Sequence, residues 1–152
     1  MYAVSSGNRV LGWEGKALNA YDVAQAASDA TELLRRGEPL SAAWRHAVLQ
    51  LLDVYESRLR NAGRETAVAL FTEEPPSTED PRVDAALAAL AEHLARRDDW
   101  PVPVWARQAH RFTDDWWFVT ELRGMHPWSL RESPLSFRRR GIFIAANGLE
   151  RV

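Results

Sequence analysis

Regularly spaced apolar residues first appear just after Asn19 and Asp22, two residue types that commonly begin helices. The apolar positions then recur at the 3.6-residue period of an α-helix until Gly37, a residue that often ends helices. This spacing predicts a helix over residues 20–36. Its apolar positions are Val23, Ala27, Ala30 and Leu34.

A second apolar stripe has the strongest helical period in the chain. It follows Ser41, which we interpret as an N-cap, and stops before Gly63, so it predicts a helix over residues 41–62. Because the connection to the first helix is short, we expect the two helices to pack as a hairpin with their apolar faces together. The stripe comprises Trp44, Val48, Leu51, Leu52, Tyr55 and Leu59, and we expect Trp44 and Tyr55 in the core.

Residues 73–82 interrupt the pattern with three prolines, four acidic residues and no apolar side chain. This composition predicts a solvated linker or exposed loop. It divides the chain into an N-terminal region, 1–72, and a C-terminal region, 83–152, which we expect to form one compact domain together. Asp80 and Pro81 then supply an N-cap and an N1 proline for a third helix that ends near Arg97. Its apolar positions are Val83, Leu87, Leu90, Ala91 and Leu94.

The last third of the chain, residues 100–152, predicts shorter elements. An extended entry precedes a short helix begun at Pro103, and Thr113 to Asp115 caps a helix that runs to Gly124. A further short helix runs from Ser133 to Gly141, and residues 142–144 are the only convincing β-type run. We therefore predict a mainly α fold: a helical hairpin plus a compact, loop-rich helical part with at most one or two short strands.

Composition places the 152 residues among ordinary globular proteins, with two exceptions. The chain has no cysteine, which excludes disulfides, cysteine-ligated metals and thiol catalysis. It has seven tryptophans, five of them after residue 99. The net charge of −2 hides an asymmetry, because residues 1–99 carry eleven basic and sixteen acidic residues while residues 100–152 carry eight and five.

No motif in the sequence specifies a reaction or a cofactor. The four histidines, His46, His93, His110 and His126, stand at unrelated spacings and predict no metal site. No nucleophile elbow or phosphate-binding loop is present. The acidic pair Asp114 and Asp115 is best explained by helix capping. Catalysis by Asp114, Asp115 and His126 would require these groups to converge in space, so we expect a protein that is not an enzyme.

The first residues of the chain lack the apolar run of a secretory signal, and no apolar stretch approaches the length of a membrane span. We therefore expect a cytoplasmic protein without membrane contact.

Candidate binding residues cluster in the last third of the chain. Arg138, Arg139 and Arg140 form the densest positive cluster, and Arg is suited to hold carboxylates or phosphates in a bidentate way. Trp116 and Trp117 are adjacent, so both side chains cannot enter the same face of a helix, and one should reach a second surface. The arginines favour an acidic protein partner, with DNA or RNA as the alternative.

The segments 86–94, 100–106, 115–119 and 133–144 resemble small actinobacterial proteins encoded beside predicted nucleotidyltransferase-type toxins and treated as their antitoxins or regulators. The resemblance covers residues 83–152, and the sequence Pro-x-x-Phe-Arg-x-Arg-Gly-Ile-Phe at 134–143 is its most specific part. The first two helices do not match a DNA-reading pair, so partner binding is the property that the resemblance implies most directly.

Together with the resemblance, these residues imply an antitoxin or immunity-like protein that occludes the active site of a partner enzyme. On this hypothesis Trp105, Trp116 and Trp117 are apolar anchors, and Arg138, Arg139 and Arg140 pair with acidic groups there. In a nucleotidyltransferase those groups would be metal-binding carboxylates. The alternative is a DNA- or RNA-binding transcriptional regulator that uses the same arginines on phosphates.

Overall fold

The structure is a computed structural model that describes residues 21–119, 126–145 and 148–150. In chain order the helices are α1 (Val23–Arg35), α2 (Leu40–Ala43), α3 (Leu49–Asn61), α4 (Arg64–Val68), α5 (Pro81–Asp98), α6 (His126–Glu132) and α7 (Leu135–Arg138). A π-helical turn, Trp44–Val48, joins α2 to α3. Short 3₁₀ turns occupy Ala69–Phe71, Val104–Arg107 and Ala109–Arg111. The strands are β1 (Trp117–Phe118) and β2 (Ile142–Phe143), so the predicted mainly α fold with at most two short strands is confirmed.

The first helix begins and ends as its sequence predicts. The Asp22 carboxylate accepts a hydrogen bond from the Gln25 amide at 2.9 Å, which caps α1. At the other end Gly37 adopts φ +84°, and the amides of Gly37 and Glu38 donate to the carbonyls of Leu34 and Leu33. This pairing is a Schellman motif, which needs a residue tolerant of positive φ.

The second predicted helix exists but differs in detail from the prediction. It begins at Leu40 after Pro39, and Ser41 does not cap it. A π-helical turn at Trp44–Val48 then interrupts the α-helical hydrogen bonding before α3. The turn lies where the Trp44 indole packs against Trp117 and Phe137, with ring centroids 5.8 and 6.0 Å apart. Gly63, at φ +97°, follows the end of α3.

The acidic segment 73–82 has no regular secondary structure before α5 begins at Pro81, and not all of it is solvated as the sequence predicts. Thr78 is buried, and its amide and hydroxyl both donate to the Asp84 carboxylate at 2.8 and 2.7 Å. The carbonyl of Pro75 accepts a hydrogen bond from the Arg111 guanidinium at 2.9 Å. These bonds attach the segment to the start of α5 and to the C-terminal third.

Helix α5 lies at the centre of the fold. Asp80 caps the helix and Pro81 occupies its first turn, as predicted. The last helical residue is Asp98, and the C-cap residue Asp99 has φ +62°. Buried residues surround it on nearly all sides, as expected for a helix enclosed by other elements. One hydrophobic core contains buried residues from both halves of the chain, from Val23 to Ile144.

The predicted helix beginning at residues 113–115 is wrong for the described residues. Trp117 and Phe118 instead form β1, which pairs in parallel with β2 in the register Trp117 to Ile142 and Phe118 to Phe143. Aromatic residues are favoured in strands, and pairing with a segment 25 residues away outweighs the local capping pattern. Residues 120–125, where the predicted helix would have ended, lie outside the described residues. Within the described chain, no helix is long and apolar enough to cross a membrane.

A buried tyrosine connects α3 to the end of α5. The Tyr55 hydroxyl donates to the Asp98 carboxylate at 2.7 Å and accepts from the Trp100 indole at 2.9 Å. Burial and the hydrogen bond to Asp98 raise the pKa of Tyr55 to about 12, so it stays neutral. The same network helps to fix the position of the Trp100 ring.

Tyr55→Phe should lower the free energy of unfolding by about 1–3 kcal/mol, because it leaves a buried indole N–H without its acceptor and removes a donor to Asp98. Denaturant titration followed by circular dichroism measures this loss. Tyr21→Phe is the matched control, since the Tyr21 hydroxyl donates at 3.2 Å to the His46 carbonyl near solvent. Equal losses in the two variants would contradict the role given to Tyr55.

Candidate functional site

The six residues predicted to bind a partner divide into an interior group and a surface group. Trp105, Trp117 and Arg140 are 5%, 7% and 0% exposed. Trp116 is 62% exposed, and Arg138 and Arg139 also reach the surface. The structure therefore brings only half of the predicted set to a face that a partner can contact.

Trp105 is part of the core and not a surface anchor. Its indole N–H donates to the Phe71 carbonyl at 3.0 Å. The Arg111 guanidinium lies over its ring at 5.1 Å from the centroid. These contacts tie the Val104–Arg107 turn to the N-terminal region, which corrects the prediction that Trp105 faces a partner.

Trp117 also packs inward, which corrects its predicted role. Its backbone amide donates to the Gly141 carbonyl at 2.9 Å, and its ring meets Trp44 edge to face. Successive side chains of a strand point to opposite sides, so Trp116 faces outward. The expectation that one of these two tryptophans reaches a second surface is confirmed, although the reason is a strand and not a helix.

Arg140 is enclosed by the fold. One guanidinium nitrogen donates to Glu92 at 2.5 Å and to the Ser136 carbonyl at 2.9 Å, and the other donates to the Ala106 carbonyl at 2.7 Å. The Phe112 ring lies 4.3 Å from its guanidinium carbon. Arg140 therefore joins α5, α7 and the Val104–Arg107 turn, and the prediction that it pairs with a partner's acidic groups is wrong for this conformation.

Glu92, which the sequence analysis did not single out, is the acidic centre of this arrangement. It pairs with Arg140, with Arg96 at 2.7 Å and with Arg139 at 3.4 Å. A glutamate among the alanines and leucines of a buried helix, four residues before an arginine, is the pattern in the sequence that could have revealed it. Burial acts to raise the pKa of Glu92, but the hydrogen bonds from Arg140 and Arg96 outweigh burial and hold that pKa below 4.5.

Four rings form a continuous row from β1 to α6. Trp116 contacts Phe143 edge to face, with centroids 5.0 Å apart. Phe118 stacks on Phe143 at 5.0 Å and on His126 at 4.0 Å. The row supports Trp116 from beneath and leaves its outer part in solvent.

Gly141 permits this arrangement because it has φ +81°, and a Cβ there would lie 2.9 Å from the Thr113 carbonyl and 3.4 Å from the Trp116 ring. The close approach of the chain at Gly141 therefore holds the Trp116 side chain in its outward position.

Large exposed apolar side chains occur in only one part of the described chain, residues 104–135. Trp128 is 54% exposed and Leu135 is 59% exposed, and Trp116 exceeds both. The full set is Val104, Trp116, Trp128, Leu130 and Leu135. We call Trp116, Trp128, Leu130 and Leu135 the C-terminal apolar surface.

Cations accompany this surface. The Arg131 guanidinium lies 5.2 Å from the centroid of the Trp128 ring, and Arg138 donates to the Arg131 carbonyl at 3.1 Å. Within residues 126–140 the exposed charges are Arg131, Arg138, Arg139 and a single acid, Glu132. The exposed cations therefore lie near Trp128, while Trp116 directly follows the exposed acids Asp114 and Asp115.

The three residues considered for catalysis lie as follows. Asp114 and Asp115 are exposed in a bend, where the Asp115 amide donates to the Thr113 hydroxyl at 3.0 Å. The His126 ring stacks on Phe118. In the part of the chain that the structure describes, no group of three or more His, Asp or Glu is placed to hold a metal ion.

No family model, curated protein or solved structure matches this chain. The geometry of its own residues therefore carries the functional argument.

Arg140→Met should lower the free energy of unfolding by about 3 kcal/mol, because it leaves Glu92 buried with a weaker set of partners. Arg138→Met, the adjacent exposed control, should change it by less than about 0.5 kcal/mol. Thermal or denaturant unfolding measures both.

The double variant Glu92→Leu/Arg140→Met should lose less free energy of unfolding than the two single variants together, by at least about 1 kcal/mol. Additive losses would show that the two side chains are not coupled.

The pH dependence of stability should separate Glu92 from His93. Because the pKa of Glu92 is held below 4.5, its contribution is present above that pH and is lost as the pH falls through the lower folded value. For His93 it is burial itself that lowers the pKa below 6.5, so the contribution of His93 to stability begins to fall as the pH drops below about 6.5. In denaturant titrations at several pH values, Glu92→Gln should flatten the profile below pH 4.5 and His93→Gln should flatten it at higher pH. Unchanged profiles would contradict these assignments.

Proposed function

We propose that this protein is a non-catalytic protein-binding protein, the antitoxin or immunity-like member of a two-gene pair, which occludes the active site of its partner enzyme. The observation that carries the proposal is the confinement of large exposed apolar side chains, among the described residues, to the segment 104–135. Tryptophan is a frequent hot spot of protein interfaces because it buries a large area at low entropic cost.

The support beneath these side chains favours an interface over incidental exposure. Trp116 rests on Phe143, and Phe143 is stacked with Phe118, so the anchor is held in place before binding. A preorganised side chain loses little conformational entropy when a partner covers it. Trp128 is likewise accompanied by Arg131 over its ring.

The charge of Arg138 supports a partner with exposed carboxylates. Arg138 uses one guanidinium nitrogen on the Arg131 carbonyl, and among the described residues it forms no ion pair. Its remaining donors can hold a carboxylate, and such charge-assisted pairs are strong when they are desolvated. An acidic active-site cleft, including the metal-binding carboxylates of a nucleotidyltransferase, has the complementary charge.

A DNA- or RNA-binding regulator receives less support from the geometry. Of the three consecutive arginines, Arg140 is buried and Arg139 pairs with Glu92, which leaves Arg138 without an acidic partner in the described chain. A phosphate backbone requires several cations in a row. Nucleic-acid binding is therefore the alternative function, and the binding experiment below distinguishes it from protein binding.

The test is binding of the purified full chain to the purified product of the adjacent gene, measured by calorimetry. Trp116→Ser, Trp128→Ser and Arg138→Glu should each weaken binding at least about tenfold, since each removes or reverses an anchor. Arg45→Glu, a charge reversal at an exposed arginine of the first half, is the matched control and should bind normally. Arg138 is preferable to Arg139 for this purpose, because reversing Arg139 would place a second acid beside Glu92.

Failure of the wild-type chain to bind that product, or equal binding by Arg138→Glu, would overturn the proposal. Binding of a single-stranded oligonucleotide that weakens steeply from about 50 to about 200 mM salt would assign the surface to nucleic acid instead. Thermal unfolding of each variant shows whether lost binding reflects lost folding.

A further inference from the structure

A groove of about 300 Å³ lies between the segment 64–72 and the chain just after α5, away from the C-terminal apolar surface. One wall is formed by residues four apart along α4 and the turn that follows it, Arg64, Val68 and Thr72, with Ala69 beside them. The opposite wall is formed by Trp100 and Pro101. The groove thus combines the apolar residues Val68, Ala69, Trp100 and Pro101 with the polar residues Arg64, Glu65 and Thr72.

The Trp100 wall is rigid. Its indole N–H donates to the buried Tyr55 hydroxyl at 2.9 Å, and its ring lies against Phe71 with centroids 5.8 Å apart. Pro101 follows with a fixed φ. Because the Trp100 ring is already held in place, it loses little conformational entropy when a ligand binds. This favours binding of a small apolar group.

The guanidinium of Arg64 is held at the groove but keeps donors free. Its Nη1 donates to the carbonyls of Asp98 and Asp99 at 3.0 and 2.8 Å. Among the described residues it forms no ion pair. An arginine fixed by backbone carbonyls in this way presents its other nitrogens to a carboxylate.

One carboxylate near this site, that of Asp98, is engaged elsewhere. Asp98 pairs with Arg97 at 2.7 Å and accepts the Tyr55 hydroxyl, and these partners hold its pKa below its usual value. Arg64 therefore contacts the backbone carbonyl of Asp98 and does not pair with the Asp98 carboxylate. Glu65, which also lines the groove, is the acid that opposes anion binding there.

We propose that this groove binds a small apolar monocarboxylate, with an aromatic or branched hydrocarbon part between Val68 and Trp100 and the carboxylate on Arg64. The size of the groove suits one ring with a short acid arm. The site shares no residue with the C-terminal apolar surface, so it is independent of the function proposed above.

Calorimetric titration of the full chain with 3-phenylpropionate tests the proposal, and 3-phenylpropionamide is the uncharged match. The acid should bind with a Kd on the order of 0.1–1 mM, as expected for a ligand of this size, and the amide at least about tenfold more weakly. Arg64→Met should weaken binding of the acid by at least about tenfold, while Glu65→Gln should tighten it. These opposite effects of neighbouring substitutions distinguish a carboxylate site from general instability.

Arg45→Met is the control for loss of a surface arginine and should bind as the wild type does. Ala69→Phe fills the groove without altering Arg64 and should abolish binding, which keeps the test decisive if Arg64→Met unfolds. Equal binding of acid and amide, or normal binding by Ala69→Phe, would overturn the proposal. Tighter binding of a tetrapeptide that ends in phenylalanine would assign the groove to chain termini and would also overturn it.

Discussion

The buried pair of Glu92 and Arg140 is the interaction on which the arrangement of the C-terminal third depends. It joins the centre of α5 to the end of α7, and the same guanidinium reaches the Ala106 carbonyl in the Val104–Arg107 turn. Taking two charges out of water is costly, and the cost is offset only where further hydrogen bonds complete the site. Here Ser136 and Ala106 supply carbonyl acceptors for the two terminal nitrogens of Arg140, while Arg96 and Arg139 add charge beside Glu92. The buried Nε of Arg140 has no hydrogen-bond partner among the described residues, so the offset is partial. One acid of α5 thereby fixes α7 and the Val104–Arg107 turn, each of which has only 4 residues.

The position of Trp116 follows from this constraint. Arg140 immediately precedes Gly141, whose carbonyl accepts the Trp117 amide and whose missing side chain allows the approach of Thr113. Once Arg140 is held against α5, β2 lies beside β1, Trp117 packs on Trp44, and the strand alternation turns Trp116 outward. The apolar surface proposed to bind a partner therefore rests on a charged pair in the interior. Substitution of that pair would therefore alter the proposed binding although no residue of the surface itself is substituted.

Features set by neighbouring residues were predictable, while features set by distant residues were not. The period of Val23 to Leu34 and the cap at Asp80 depend on residues one or two turns apart, and both predictions are confirmed. The strand at Trp117 depends on Ile142, and the burial of Arg140 depends on Glu92, which is 48 residues away. Nothing within a few residues of Thr113 indicates that its segment pairs with β2, so local capping residues suggested a helix. For the candidate site, the sequence pointed to the third of the chain in which the large exposed apolar side chains of the described residues lie, but it could not separate the exposed Arg138 from the buried Arg140.

The chain uses arginine almost exclusively as its cation, and the nearest carboxylate decides what each one does. Arg140 meets Glu92 in the interior and becomes structural, whereas Arg139 shares the same acid from the surface. Arg97 forms ion pairs with Glu56 and Asp98, so the hydrogen bonds of Arg64 go to backbone carbonyls only. Arg138 likewise bonds to a carbonyl, that of Arg131. A guanidinium bound to carbonyls keeps its full charge while its position is fixed, which is the condition for recognising an external carboxylate. By this criterion Arg64 and Arg138, and not Arg139 or Arg140, are the cations that we propose to bind external carboxylates.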